Sequence, residues 1–280
     1  MNLKPVYAIA LLAAPFAACG EDADSDAAPA TGTLNVRIWG EEYIEDTIPA
    51  ETFADGWSVR FDKFLLRVGS VRVGAATGTP SLTTGTTYRV YDLAVPPTTA
   101  GDAPGHLVAS AEVDAVNTPI VGYTVAGGGD AEAGNATAAD TERLTQNGWA
   151  VYVEGVATKA DVTKRFAWGF EGTQRYFPCE STATFTDGVA EVQLTIHGDH
   201  LFYDDLTSEE PNVAFDVVAS ADTNDDGEIT VEELTARDIT GEARYQVGSF
   251  PVTNLYAFIE HQIGTLGHID GEGHCETGGE

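Results

Sequence analysis

Short runs in which apolar and polar residues alternate, separated by turn residues, extend from residue 33 to about residue 206. In TLNVRIW, the side chains of Leu34, Val36 and Ile38 fall on one face, and VAEVQLTI shows the same period of two. This period is typical of strands with one buried face. Because no strand–helix–strand alternation is present, the pattern predicts a mainly β chain with an antiparallel β-sandwich body.

Helical periodicity begins only after this region. EEPNVAFDVVASA predicts a helix from Ser208 to Ala221, and VEELTARD predicts a second from Val231 to Asp238. TNLYAFIEHQIGTLG predicts a third helix that ends near Gly267, because apolar residues recur there at helical spacing.

The patterns divide the chain into segments. Residues 127–148, rich in glycine, alanine and acidic residues, are expected to form a surface loop or a boundary between two β units. The predicted parts are a β-sandwich body at 33–206, a helix–loop–helix at 207–240, and a C-terminal helix with a histidine- and cysteine-containing tail at 241–280.

The stretch DTNDDGEITVEEL lies between the first two predicted helices and concentrates oxygen-bearing side chains at alternating positions. Gly227 is its sixth residue and Glu233 its twelfth. This spacing resembles the calcium loop of EF-hand proteins, in which Ca²⁺ takes about seven oxygen ligands. The resemblance implies Ca²⁺ ligation by Asp222, Asn224, Asp226, Glu228 through its backbone carbonyl, Thr230 and Glu233.

The resemblance covers only about 30 residues and one loop, whereas EF-hands usually occur in pairs. A single loop favours a structural calcium site over a sensor. Thr230 and Glu233 also match a capping box, which would begin the second helix. The alternative interpretation is an acidic turn that binds no ion strongly.

The N-terminus carries a targeting pattern: MNLK, a short apolar run, and then FAAC at Cys19. It resembles a bacterial lipoprotein signal, with Phe16 standing where that family usually has Leu. The resemblance implies a signal peptide at 1–18, lipidation of Cys19 and a flexible tether at 19–32. The implied location is the cell envelope, on the outer membrane or cell surface. An ordinary secretory peptide is the alternative.

The charge balance limits the possible partners. The chain has 44 Asp and Glu residues against 14 Lys and Arg, for a net charge of −30. Such a surface repels nucleic acid and anionic lipid headgroups, and it attracts cations. We therefore expect no nucleic-acid partner and expect the membrane to be reached through the lipid anchor alone.

Three cysteines are present. If Cys19 carries lipid, Cys179 and Cys275 remain as a pair, and a disulfide between them suits an exported protein. The alternative is a Cys/His metal site in the tail.

Histidines are concentrated late in the chain. TIHGDH and the tail GHIDGEGHCE contain four of them beside several carboxylates. Imidazole with carboxylate suits Zn²⁺ or Cu²⁺. The sequence therefore nominates His197, His200, His268 and His274 as metal ligands, against the alternative of ordinary surface histidines.

The sequence has no G-x-S-x-G, H-E-x-x-H, P-loop or G-x-G-x-x-G motif. We therefore expect a non-enzymatic calcium-binding lipoprotein with a binding or structural role and an unidentified protein or glycan partner. The alternative is a periplasmic or surface Zn²⁺- or Cu²⁺-binding protein that uses the histidines.

Overall fold

The computed structural model describes residues 31–75, 78–97, 104–115 and 119–277. The predicted signal peptide, Cys19 and most of the predicted tether lie outside the described residues. The strands are β1 (Thr31–Trp39), β2 (Ser58–Gly74), β3 (Leu82–Thr83), β4 (Tyr88–Asp92), β5 (His106–Asp114), β6 (Ile120–Ala126), β7 (Glu132–Ala133), β8 (Val151–Lys159), β9 (Val162–Phe170), β10 (Thr173–Glu180), β11 (Val189–Ile196), β12 (Glu228–Ile229), β13 (Gly267–Ile269) and β14 (Cys275–Thr277).

Helices are short and fewer than the strands. They are α1 (Glu41–Glu45), α2 (Ala138–Asn147), α3 (Asp216–Ala219), α4 (Val231–Ala236) and α5 (Leu255–Gln262), with 3₁₀ turns at Gly198–Phe202 and Ile263–Thr265. The prediction of a mainly β chain is confirmed.

The strands form two sheets. The smaller has the order β13-β11-β1-β5, and the larger has the order β12-β9-β8-β2-β6-β10-β14, with β3 and β4 paired to β2 and β7 paired to β4. Val36 and Leu194 of the smaller sheet belong to the same core as Val71 and Tyr123 of the larger one. Burial of one face of each sheet explains the alternation seen in the sequence.

The pairing is not antiparallel throughout, which corrects the prediction. β1 and β11 are parallel, with Trp39 opposite Thr195. β12 is parallel to β9, and β7 to β4. Alternation specifies which face of a strand is buried but says nothing about the direction of its neighbour. Because β1 and β11 are parallel, the chain leaves both strands at the same end of the smaller sheet.

The predicted tether at 19–32 extends two residues too far, because Thr31 and Gly32 begin β1. Gly32 pairs with Val113 of β5. A Cβ at Gly32 would lie 2.6 Å from Cδ1 of Phe185, so the close packing here requires glycine.

The stretch 127–148 is not a boundary between two β units. The flanking strands β6 and β8 both pair with β2 in the larger sheet. The stretch instead contains β7 and α2, and the Thr137 side chain caps α2 by accepting from the backbone N–H of Asp140.

The helix predicted from Ser208 is reduced to the four residues of α3. The Asp55 carboxylate accepts hydrogen bonds at 2.7 Å from the backbone N–H groups of Phe215 and Asp216, which places the helix start there. Pro211 also disfavours helix in the residue before it. The next helix, α4, ends at Ala236, two residues before the predicted end at Asp238.

The predicted disulfide is confirmed. Cys179 of β10 lies opposite Cys275 of β14, and the two are bonded. The bond closes a loop with a sequence separation of 96. In the chain-entropy treatment such a loop stabilises the fold by roughly 4–5 kcal/mol at 25 °C. It also fixes the C-terminal segment to the larger sheet.

Candidate metal centres

The histidine cluster, defined as His197, His200, His268 and His274, lies where the end of β11 pairs with the start of β13. His197 follows β11 directly, and its backbone N–H donates to the carbonyl of Leu266 at 2.9 Å. His268 lies in β13 opposite Thr195 of β11. The 3₁₀ turn after His197 brings His200 back beside it. The pairing of β11 with β13 thus joins two distant parts of the chain.

Three imidazoles of the cluster meet in the protein interior. The ring centroids of His197 and His268 are 4.3 Å apart, those of His197 and His200 are 5.0 Å apart, and those of His200 and His268 are 5.2 Å apart. All three residues are buried, with exposed fractions of 6–7%. His274 is exposed, and its ring centroid is 5.3 Å from that of His268.

Carboxylates complete two overlapping groups of potential ligand atoms. One group comprises His197, His268 and Glu272, and the other comprises His197, Asp199 and His200. Within each group the potential ligand atoms all lie within 4.8 Å of one another. His197 belongs to both groups and so links them.

Hydrogen bonds fix the orientation of the His200 ring. Its Nδ1 lies 2.8 Å from the backbone carbonyl of Thr265. Because a carbonyl only accepts, Nδ1 carries the proton and Nε2 keeps its lone pair. This arrangement is the usual orientation of a metal-binding histidine, whose second nitrogen is fixed by an outer hydrogen bond.

One polar atom of the cluster and one of the neighbouring Asp199 have no hydrogen-bond partner among the described residues. Nδ1 of His268 and Oδ1 of Asp199 are buried and accept or donate no hydrogen bond among the described residues. Leaving such an atom unpaired costs about 1–3 kcal/mol. A bound ion or water would remove this cost.

Burial and the neighbouring imidazoles favour the neutral forms of His200 and His268. Burial, together with His197 and His268, lowers the pKa of His200 to about 3. Burial, His197 and His274 likewise lower the pKa of His268 to about 4. Neutral imidazole is the form that binds metal, so these two residues would not need to lose a proton near pH 7.

Burial also raises the pKa of Asp199, while His197 opposes the rise. The same two opposing effects act on Glu41, whose pKa is raised. Glu41 Oε2 lies 3.7 Å from Nδ1 of His197. The backbone of Glu41 has a φ of 53°, a left-handed conformation that is uncommon for residues other than glycine. Such strained residues are often found at functional sites.

The cluster opens onto a cavity of about 480 Å³. His200, His268, His274 and Glu272 line it, together with Tyr203. The Tyr203 ring lies 4.3 Å from that of His200, centroid to centroid. The cavity connects the buried imidazoles with the surface.

The structure therefore brings together all four histidines that the sequence nominated. It adds Glu41 and Tyr203, which sequence reasoning missed. The position of Glu41 just after β1 would have indicated its role only if the parallel pairing of β1 with β11 had been known.

The acidic loop is a second candidate centre, on the larger sheet. Gly227 has a φ of 85°, the conformation expected at the bend of such a loop. Thr230 and Glu233 form a capping box at the start of α4. Ile229 is buried, and the carbonyl of this residue accepts from Nε1 of Trp168 at 2.8 Å. β12 pairs with β9, so a sheet strand supports the loop at the point where a second EF-hand would usually do so.

Side-chain oxygens of the loop face its own backbone. The backbone N–H of Asp226 donates to Oδ1 of Asn224 at 2.9 Å, and that of Glu228 donates to Oδ1 of Asp226 at 2.8 Å. Glu233 accepts from the backbone N–H of Thr223 at 3.3 Å and from that of Thr230 at 3.0 Å. These oxygens are the predicted ligand atoms.

Asp222 is the buried end of the loop. Its Oδ2 accepts from Nζ of Lys164 and, at 2.9 Å, from the backbone N–H of Gly227. Its Oδ1 is buried and has no partner among the described residues. The hydrogen bond from Lys164 lowers the pKa of this carboxyl despite burial. An ammonium group therefore already lies against the first predicted ligand.

Comparisons with known proteins identified no relative: no family model matches the chain, and neither do the curated proteins or the solved structures. Within the described residues, no helix has both the length and the apolar character needed to cross a membrane.

Proposed function

We propose that this chain is an exported, lipid-anchored metal-binding protein whose principal ligand is Zn²⁺ or Cu²⁺ held by the histidine cluster. The observation that carries the proposal is the meeting of three buried imidazoles within 5.2 Å of one another, centroid to centroid. His197, His200 and His268 would supply nitrogen ligands. Glu272 or Asp199 would supply an oxygen, and His274 lies at the outer edge.

The donor set distinguishes among metals. Imidazole nitrogen suits Zn²⁺ and Cu²⁺, whereas Ca²⁺ and Mg²⁺ prefer oxygen. The unpartnered Nδ1 of His268 and Oδ1 of Asp199 also favour ion binding over simple core packing of histidines.

The cell-envelope location rests on the lipoprotein-like segment around Cys19, and the disulfide is consistent with export. We propose a binding role rather than a catalytic one, because the sequence contains no G-x-S-x-G nucleophile motif and no H-E-x-x-H, P-loop or G-x-G-x-x-G motif. Within this proposal the two sheets are the layers of a β-sandwich that hold the centre at one end.

Metal titration of the dialysed full chain tests the proposal. We expect one Zn²⁺ or Cu²⁺ per chain in the presence of excess Ca²⁺. The double variant His197→Gln/His200→Gln should abolish this binding. His261→Gln is the matched control, because His261 is exposed and its ring packs against that of Phe250, with centroids 4.2 Å apart, away from the cluster. Unchanged binding in the double variant would sink the proposal.

A second candidate function is calcium binding by the acidic loop, as an EF-hand-like site. The buried, unpartnered Oδ1 of Asp222 favours it, because Ca²⁺ would satisfy that oxygen. The ion would displace Lys164 from Asp222 and take the Glu233 carboxylate from its capping hydrogen bonds. Its role would be structural, since outside the cell a dissociation constant of about 10⁻⁴–10⁻³ M suffices.

Calcium titration of loop variants tests this second function. Glu233→Gln should cut calcium affinity sharply and remove the rise in Tm that calcium causes. Asp225→Asn makes the same charge change at a loop position that the resemblance does not use, so its affinity should stay near that of the parent protein. Equal calcium affinities for all three proteins would exclude the loop as the site.

A further inference from the structure

A cavity of about 500 Å³ lies between β9 and the segment that joins β12 to α4. Trp149 and Tyr256 contribute its aromatic surface, and Arg165, Glu228 and Glu232 contribute its charged groups. It is separate from the histidine cluster, which opens onto a different cavity. Cavities of roughly 300–1,000 Å³ are typical of small-molecule binding sites.

Trp149 is a rigid, half-buried platform. Its ring is nearly parallel to that of Tyr152, with an interplanar angle of 7° and centroids 5.2 Å apart. The ring also covers Gly169, where an added Cβ would lie 2.1 Å from the indole. Glycine at this position lets the indole approach the backbone of β9 this closely. Little conformational entropy would then be lost when a ligand stacks on it.

The charged groups of the cavity are free to bind a ligand. Arg165, Glu228 and Glu232 are exposed, and their side chains make no hydrogen bond or ion pair within the part of the chain that the structure describes. The site thus presents donors and acceptors together beside an aromatic face.

We propose that this cavity binds a neutral oligosaccharide. A sugar ring has an apolar C–H face that stacks on an indole, and hydroxyls that both donate and accept hydrogen bonds. The hydroxyls could accept from Arg165 and donate to Glu228 and Glu232.

Other ligand classes fit the cavity less well. A wholly apolar ligand would desolvate three charges without replacing their hydrogen bonds. A phosphate-bearing ligand would meet two carboxylates on a chain with a net charge of −30. A cationic ligand could pair with Glu228 and Glu232 but would leave Arg165 without a partner. The neutral sugar uses all three groups and meets no like charge.

The first experiment is calorimetric titration of the full chain with four neutral probes: cellohexaose, xylohexaose, mannohexaose and chitohexaose. At least one should bind and change the tryptophan fluorescence. Trp149→Ala should weaken that binding about tenfold or more, in line with the loss of one stacking interaction. Arg165→Gln and Glu232→Gln should each weaken it several-fold without a change in folding.

Trp39→Ala is the matched control, because Trp39 is half-buried at the end of β1 and does not line the cavity. Thermal melts of every variant separate loss of binding from loss of fold. The proposal is overturned if no probe binds at millimolar concentration, or if Trp149→Ala binds as the parent protein does. Binding of a lysine-rich peptide in place of all four sugars would identify a cation site and overturn it as well.

Discussion

Glu41 and His197 face each other just beyond the C-terminal ends of two parallel strands, with 3.7 Å between Oε2 of Glu41 and Nδ1 of His197. β1 and β11 run side by side up to the pair Trp39 and Thr195. Glu41 follows Trp39 by two positions, and His197 follows Thr195 by two positions. The Glu41 carboxylate therefore lies beside His197 and outside the proposed metal centre, at a separation slightly longer than a hydrogen bond.

Replacing Glu41 by Gln should weaken Zn²⁺ or Cu²⁺ binding by about 10- to 100-fold, the usual effect of removing an outer carboxylate from a ligand histidine. Glu42→Gln is the control, because its side chain is exposed on the same helix. Metal titration with a competing chelator measures both affinities. A purely structural role for Glu41 would lower Tm without changing the affinity of the protein that remains folded.

The metal-free protein should lose stability as the pH falls. His200 and His268 have folded pKa values of about 3 and about 4, below the unfolded value of about 6.5. Below pH 6.5 the unfolded state therefore binds more protons than the folded state, and the free energy of unfolding decreases. Urea unfolding in chelator at pH 7.5, 6.0 and 5.0 measures the trend. In His200→Gln/His268→Gln the slope in this range should be shallower; an identical slope would show that other groups cause it.

Lys164→Met should raise the calcium affinity of the acidic loop, because the ammonium that now pairs with Asp222 would no longer compete with the ion. The same change should destabilise the calcium-free protein, since the buried carboxylate loses its partner. Lys159→Met is the control: Lys159 pairs with Asp216, and both of these side chains are more than a third exposed. Calcium titration and Tm with and without calcium give both results. A lower affinity in Lys164→Met would contradict a calcium role for Asp222.

Gly267→Ala should destabilise the fold by about 1–3 kcal/mol, the usual cost of overpacking a core. An added Cβ would lie 2.3 Å from the hydroxyl oxygen of Tyr123 and 2.6 Å from Cζ of Tyr176. The shift should also move His268 and weaken metal binding. Gly241→Ala has open space around its Cβ and serves as the control in urea unfolding. Equal unfolding midpoints for the two variants would show that Tyr123 and Tyr176 can shift without lowering the free energy of unfolding.

Much of the local structure was predictable because it depends on near neighbours in the chain. The alternation of apolar and polar residues around Val36 predicts a strand with one buried face, whatever the position of that strand in the sheet. The capping box of Thr230 and Glu233 and the bend at Gly227 depend on residues within one turn of each other. The disulfide was predicted by elimination, since Cys179 and Cys275 were the pair left if Cys19 carried lipid.

The proposed metal centre was only half predictable. Four histidines with neighbouring carboxylates indicated transition-metal chemistry, whatever the fold. That their rings meet in the interior depends on the pairing of β11 with β13, and the approach of Glu41 depends on the parallel pairing of β1 with β11. Local patterns do not encode strand direction, because either direction buries the same face. The shortening of the first predicted helix to α3 likewise depends on Asp55, which only the tertiary structure brings to its N-terminus. The sequence alone therefore determined the chemical groups and the short-range geometry, and the tertiary structure decided which groups meet.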